Sequence, residues 1–178
     1  MTIKYPVEPP HRVVITHEHQ LVHEGKFFSV GHADAAAAAS ADIEVLVAAG
    51  ANTDIHTYIK MIAGADARLD VFEAPTVTAA GTAITPQNHN RGSANTCDCT
   101  VTHTPTLSAD GTQIWQEYLP GGSGGNSPGA VQHVGSEQMI MAAGETYLFR
   151  LTNLGATAQM IQLQLAYYGV KFTQLTES

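Results

Sequence analysis

The side chains of this 178-residue chain most able to do chemistry are nine histidines, sixteen acidic residues and two cysteines, and five of the histidines (His11, His17, His19, His23, His32) come early. In an extended strand His17 and His19 would project from one face, a spacing at which two imidazoles can ligate one metal ion. Cys97 and Cys99 are also one residue apart. On a strand they would share a face at a Cα separation of roughly 7 Å, which disfavours a disulfide, so they are read as two small buried hydrophobes in a reducing environment. There is no Gly-x-Ser-x-Gly elbow, and neither cysteine carries the local signature of a cysteine protease. Sixteen acids offer many pairs for glycoside hydrolysis, but nothing singles one out. Trp115, Tyr118, Tyr147, Tyr167 and Tyr168 would suit a sugar-stacking platform, although aromatics on alternating strands usually belong to the core. Gly121 to Gly129 lacks the Gly-Lys-Ser/Thr ending of a phosphate loop and reads as a surface loop. No catalytic residue, metal site or cofactor is assigned, and the expectation is a protein that is not an enzyme.

The elements that must carry these residues are strands. Ile43, Val45 and Val47 fall on one strand face, Ile55, Thr57, Ile59 and Met61 on another, and Leu69 and Val71 on a shorter one. Cys97, Cys99 and Val101 continue the period-two pattern, followed by Ile114 to Leu119, by Met139 and Met141, and by Tyr147, Phe149 and Leu151. In the last strand Ile161, Leu163, Leu165 and Tyr167 alternate with Met160, Gln162, Gln164 and Ala166, as one buried and one more polar face require. Turn signals separate the runs at 79–82, 109–112 and 142–145, each with a glycine in third place. The alanine run of Asp34 to Ala41 has helix propensity but no amphipathic stripe, and reads as a loop or single turn. About eight strands so joined predict an antiparallel β-sandwich, jelly-roll-like, over residues 21–178. Residues 1–20, with Pro6, Pro9 and Pro10, read as an extended N-terminal arm.

Charged residues are only 13% of the chain, about half the roughly 25% usual for soluble proteins, so much of the surface is neutral. Such a surface suits packing against other copies or a larger assembly. A net charge of −8 and the lack of a basic cluster argue against nucleic acid as a partner. No run approaches the roughly twenty apolar residues of a spanning helix, and Met-Thr-Ile-Lys-Tyr-Pro has no apolar signal core. The chain is thus expected to be neither membrane-embedded nor exported by the usual route.

Two resemblances bear on function. The run His17-x-His19-x4-Glu24-x6-Gly31 resembles much of the first metal motif of the cupins, and Gly122-x5-Pro128-x-Ala130-x2-His133 partly resembles the second. His11 stands where a glycine is expected, Ala130 replaces another, and Glu137 stands in place of asparagine. The interval between the motifs is also longer than in cupins. A cupin-like metal site at His17, His19, Glu24 and His133 is therefore a minor alternative to polar histidines on an arm and at strand edges.

The second resemblance covers positions 16 to 168. Thr16-His-Glu-His-Gln-Leu-Val-His-Glu-Gly-Lys-Phe-Phe28 is similar to the opening of a family of tailed-phage virion proteins. Val71 to Val77 with Gly81-Thr82, then Thr85 to Ser93, then Thr146 to Asn153, follow in the same order. The resemblance implies a head decoration, or cement, protein. Such a protein would bind the outer surface of the major capsid protein lattice as a homodimer or homotrimer and brace the head. Its location would be the virion, after synthesis in the bacterial host cytoplasm. The arm would reach over a neighbouring capsid subunit and add strand pairing at an edge. A spike, fibre or tail component that binds host glycans is the other alternative.

Overall fold

The computed structural model describes residues 16–121 and 130–171, and among these the side chains other than those of 130–138 and 170–171. One short helix, α1 (His17–His23), precedes four strands, β1 (Phe27–Ala37), β2 (Asp42–Ala49), β3 (Thr53–Ala63) and β4 (Ala67–Glu73). Five short strands follow: β5 (Thr76–Ala79), β6 (Thr82–Ala83), β7 (Gln87–Asn88), β8 (Cys99–His103) and β9 (Thr106–Ala109). Four more complete the order, β10 (Thr112–Leu119), β11 (Ala130–Met141), β12 (Thr146–Asn153) and β13 (Gln159–Lys171).

The long strands pair in a nested way, all antiparallel: β1 with β13, β2 with β12, β3 with β11 and β4 with β10. This is one long double-stranded hairpin whose successive strands fall alternately in two sheets. Pairing of β3 with β13 and of β4 with β12 closes the roll. The sheet orders β11-β3-β13-β1-β7 and β10-β4-β12-β2-β8-β6 are those of a jelly roll with short strands added at one side. The expected all-β antiparallel sandwich is what the chain forms.

Alternation builds the core. Ile55, Thr57, Ile59 and Met61 of β3 and Ile161, Leu163, Leu165 and Tyr167 of β13 are all buried. They meet Ile43, Val45, Val47, Leu69, Val71, Tyr147, Phe149 and Leu151 of the opposite sheet in one cluster. The added strands come from the tip of the rolled hairpin, residues 74–111. There β7 pairs with β1 at Phe28 and Ser29 and β8 with β2 from Val45 to Ala49, so two strands that would otherwise be open edges are covered in part.

Three expectations are corrected. The first concerns the arm: residues 1–15 lie outside the described residues, but His17–Gln20 are helical, so its expected boundary at residue 20 falls inside α1. The Thr16 side chain caps this helix by accepting the His19 N–H, and Leu21 anchors it in a small second cluster with Phe27 and Tyr168. The second concerns the alanine run. Its first half, through Ala37, is the end of β1, paired with Ile161 and Gln159 across an irregularity in register. Pairing outweighs the weak helix propensity of so short a run. The third concerns the cysteines. Cys97 precedes β8, a bend at Asp98 brings its Cα to 5.3 Å from that of Cys99, and the two form a disulfide. The strand spacing assumed for the pair does not apply where the chain bends.

Candidate functional site

α1 lies on the outer face of the first sheet, held at both ends. At its C-terminal end the last carbonyls of a helix have no partner within it. Here asparagine side chains of the 88–95 loop supply them: Asn90 donates to the His23 carbonyl, Asn95 to those of Glu24 and Gly25, and Asn88 to that of Gly25. Gly25 has φ +66°, and a Cβ there would run into the Ser93 side chain. On the sheet side Glu18 accepts the Tyr58 hydroxyl at 2.9 Å, and its own helix backbone and this bond hold its carboxyl below the usual range.

The helix decides what the early histidines can do. Two residues apart on a helix are about 200° apart around the axis, so His17 and His19 do not share a face. His17 packs edge-on against Tyr168, with ring centroids 5.7 Å apart. His19 instead meets His23 one turn on, Nε2 to Nε2 at 2.8 Å, on the exposed side. Glu24 is taken by Lys26, at 2.7 Å, and by Gln20, both lowering its pKa. Among the described residues no three histidine, cysteine or acidic side chains converge as metal ligands. His11, residues 122–129 of the expected Gly121–Gly129 loop and the side chain of His133 lie outside the described residues, so the cupin-like quartet is not assembled by those that are described.

His32 has a different setting. It points from β1 into the open end of the sandwich and stacks on His103 of β8, with centroids 4.2 Å apart. Burial, then the neighbouring imidazole, pushes its pKa below the usual histidine value.

A cleft of about 870 Å³ opens beside α1, between Leu21, Lys26, Phe28, Ile55 and the 94–98 segment. The disulfide stands in that wall. The bend it closes sets the Asp98 carboxylate against the Thr53 hydroxyl at 2.6 Å and the Asp98 carbonyl on the Gly50 N–H at 2.9 Å. A loop of three residues contributes little by chain entropy, about 1.5 kcal/mol, so this bridge shapes a wall more than it staples the fold. The Tyr167 hydroxyl lies 3.6 Å from the Cys99 sulfur, and burial pushes its pKa up.

The aromatics singled out from the sequence do not form one platform. Tyr147 and Tyr167 are inside the core, Tyr168 is buried under α1, and Trp115 packs against the core. Tyr118 alone of the five is exposed, at 56%. The Tyr147 hydroxyl donates to Glu73 and accepts the Ala142 N–H, and burial pushes its pKa up to about 12.

The most distinctive arrangement is a feature that composition and alternation did not signal. Among the described residues strands β5 and β9 pair only with each other, forming a ribbon that joins neither sheet. They arise from a repeat at a spacing of thirty: Glu73-Ala-Pro-Thr-Val-Thr-Ala-Ala-Gly-Thr-Ala-Ile84 and His103-Thr-Pro-Thr-Leu-Ser-Ala-Asp-Gly-Thr-Gln-Ile114. Their geometry is reciprocal. Ala74 and Thr104 both have φ +53°, while Gly81 and Gly111 have φ +83° and +87°. Thr76 pairs with Ala109 and Thr106 with Ala79, about a central Val77–Leu107 pair. The Thr78 hydroxyl donates to the Thr106 carbonyl, and the Ser108 hydroxyl to the Thr76 carbonyl at 3.5 Å. Beyond the ribbon, β6 returns to β8 with Thr82 opposite His103, and β10 returns to β4 with Thr112 opposite Glu73. Each copy thus adds a strand beside the one the other leaves, at opposite edges of the same six-stranded sheet, about a local two-fold. Aligning the two turn signals at 79–82 and 109–112, with the proline upstream of each, would have revealed it.

One ribbon end is tied down. Arg150 of β12 makes a bidentate pair with Asp110 at 2.7 and 2.8 Å, and also binds Glu44 of β2. The guanidinium holds the Asp110 carboxyl below its usual range. At Glu44 burial outweighs the same cation and the pKa rises; its side chain is 15% exposed against 45% for Asp110. Leu46 and Leu148, which alternation turns to the outside of this sheet, are nonetheless buried.

No family model matches the chain, and no curated protein or solved structure matches it either. No helix among the described residues is long and apolar enough to cross a membrane. The class defined here is a jelly-roll sandwich bearing a ribbon with internal two-fold symmetry.

Proposed function

We propose that this protein is a non-enzymatic head decoration protein of a tailed phage, which binds the outer surface of the major capsid protein lattice and braces it. The supporting observation is the β5–β9 ribbon. Its eight residues are all uncharged, seven of them are exposed, and it offers the same backbone and side-chain pattern twice. A duplicated contact suits a lattice, where equivalent partner sites recur at fixed spacing and weak contacts multiply through avidity. Val77, at 36% exposed, and Leu107 lie at its centre, so a small apolar patch sits on the local axis, as a dry contact requires. The low fraction of charge and the order of the four segments resembling phage virion proteins point the same way. Copies would assemble as homodimers or homotrimers on lattice symmetry axes, and the protein would reside on the virion after synthesis in the host cytoplasm.

The test uses heads that lack the protein. Added full-length protein is expected to bind them at saturating, stoichiometric occupancy and to raise their resistance to heat and low ionic strength. Val77→Asp with Leu107→Asp should reduce occupancy at least tenfold while leaving the fold intact by circular dichroism. Failure of the native chain to bind such heads, or unchanged binding by the double variant, would remove the proposal or its ribbon contact respectively.

A further inference from the structure

The pairing of His19 with His23 creates a site unrelated to lattice binding. We infer that these two side chains form a surface chelate for a late first-row divalent ion, Cu²⁺ above Ni²⁺ and Zn²⁺. Their Nε2 atoms lie 2.8 Å apart with ring planes inclined at 44°. At that distance one ring N–H bonds the other nitrogen, and with both rings in the Nδ1–H tautomer the two lone pairs can instead meet an ion lying to one side of the line between them. With metal–nitrogen bonds of about 2.0–2.1 Å, this spacing subtends about 90° at the ion. That is the cis angle of a tetragonal site and is narrower than the tetrahedral angle zinc prefers, and among these ions Cu²⁺ also binds nitrogen ligands most tightly. Water would fill the remaining positions, because the carboxylates adjacent in sequence are engaged elsewhere, Glu18 with the Tyr58 hydroxyl and Glu24 with Lys26 and Gln20.

The backbone that sets the distance is fixed before any ion arrives. Thr16 caps the start of the helix, Leu21 is buried between the two histidines on the opposite face, and Asn90 binds the His23 carbonyl itself. A short helix free in water would fray, so these contacts make the two imidazoles a preformed chelate and lower the entropy lost on binding.

The experiment titrates the full-length protein with CuCl2, and separately with NiCl2 and ZnCl2, at pH 7.5 by calorimetry. Electron paramagnetic resonance of the copper form reports the coordinated nitrogens. One Cu²⁺ bound with two-nitrogen hyperfine structure is expected, with Cu²⁺ tightest. His19→Ala and His23→Ala should each weaken it at least tenfold, whereas His17→Gln, which leaves the pair intact, should change it less than twofold. Both histidines are solvent-exposed, so these variants should keep the native circular dichroism. Equal Cu²⁺ affinity in the double variant His19→Ala/His23→Ala, or no two-nitrogen signal from the native chain, would overturn the site.

Discussion

Residues 73–84 leave β4 and residues 103–114 leave β8 through the same turn, yet the first copy returns as a two-residue strand and the second as an eight-residue one. Up to the glycine the copies share one backbone course: a left-handed residue before the proline, one ribbon strand, and a glycine facing a carbonyl of the other copy. After it they diverge. Thr82-Ala83-Ile84 is followed by Thr85-Pro86, and a proline with no N–H cannot continue a ladder. Ile84 turns inward against the core. Thr112 onward runs without proline to Leu119, bulging between Gln113 and Trp115 so that Ile114 is left exposed while Trp115 packs on the core. Local sequence therefore fixes the turn, and Pro86 fixes where the first copy's returning strand stops. The copies also differ in anchorage: Asp110 finds Arg150, whereas Ala80 stands at the matching place and has no charge to offer.

The strongest way to break this equivalence is at the glycines. A Cβ at Gly111 would stand 2.2 Å from the Glu73 carbonyl oxygen, and one at Gly81 would stand 2.2 Å from that of His103. Both positions are left-handed, so Gly111→Ala and Gly81→Ala should each cost on the order of 3 kcal/mol in urea unfolding. Gly111→Ala should be the worse of the two, because eight residues of β10 depend on that turn. A silent Gly81→Ala would show that the reciprocity is only apparent.

A smaller effect tests the anchor. Asp110→Ala should lose about 1 kcal/mol, since the pair is bidentate but partly exposed and Arg150 keeps Glu44. Ala80→Asp should stay within about 0.5 kcal/mol of the native chain. Equal losses at the two sites would mean that Arg150 is not the source of the asymmetry.

The smallest effect is in pH. Asp110 has a lowered folded pKa, so its contribution is present above the unfolded value near 3.8 and is lost as pH falls through the lower, folded one. Glu44, with its raised pKa, acts in the opposite sense. Its penalty grows as pH rises from its unfolded value near 4.5 through the folded one. Native stability minus that of Asp110→Asn should therefore shrink below about pH 4. A difference that is flat to pH 2 would deny the Asp110 carboxylate its role.

Much of the fold was legible because a strand buried on one face writes its period directly into the chain. The β3 and β13 runs, and the glycines at 81, 111 and 144, fell where alternation and turn chemistry put them. The candidate sites were less legible. His17 and His19 share a face on a strand and not on a helix, and only the Thr16 cap with the docking of Leu21 on Phe27 and Tyr168 chooses between these. The cysteines were misjudged for the same kind of reason: a bend at Asp98, packed against Gly50 and Thr53, changes the distance that a strand would impose.

By itself the sequence determined the long strands β2, β3, β4, β12 and β13 with their inward faces, the glycine turns at 81, 111 and 144, and the neutral surface, because each depends on residues close in the chain. Tertiary structure alone decided that β4 is completed by β10 and β8 by β6, that the ribbon stands apart from both sheets, and that His19 faces His23. Those outcomes depend on which distant segments come to lie side by side, and the closure of a rolled hairpin, unlike a turn, has no local signal.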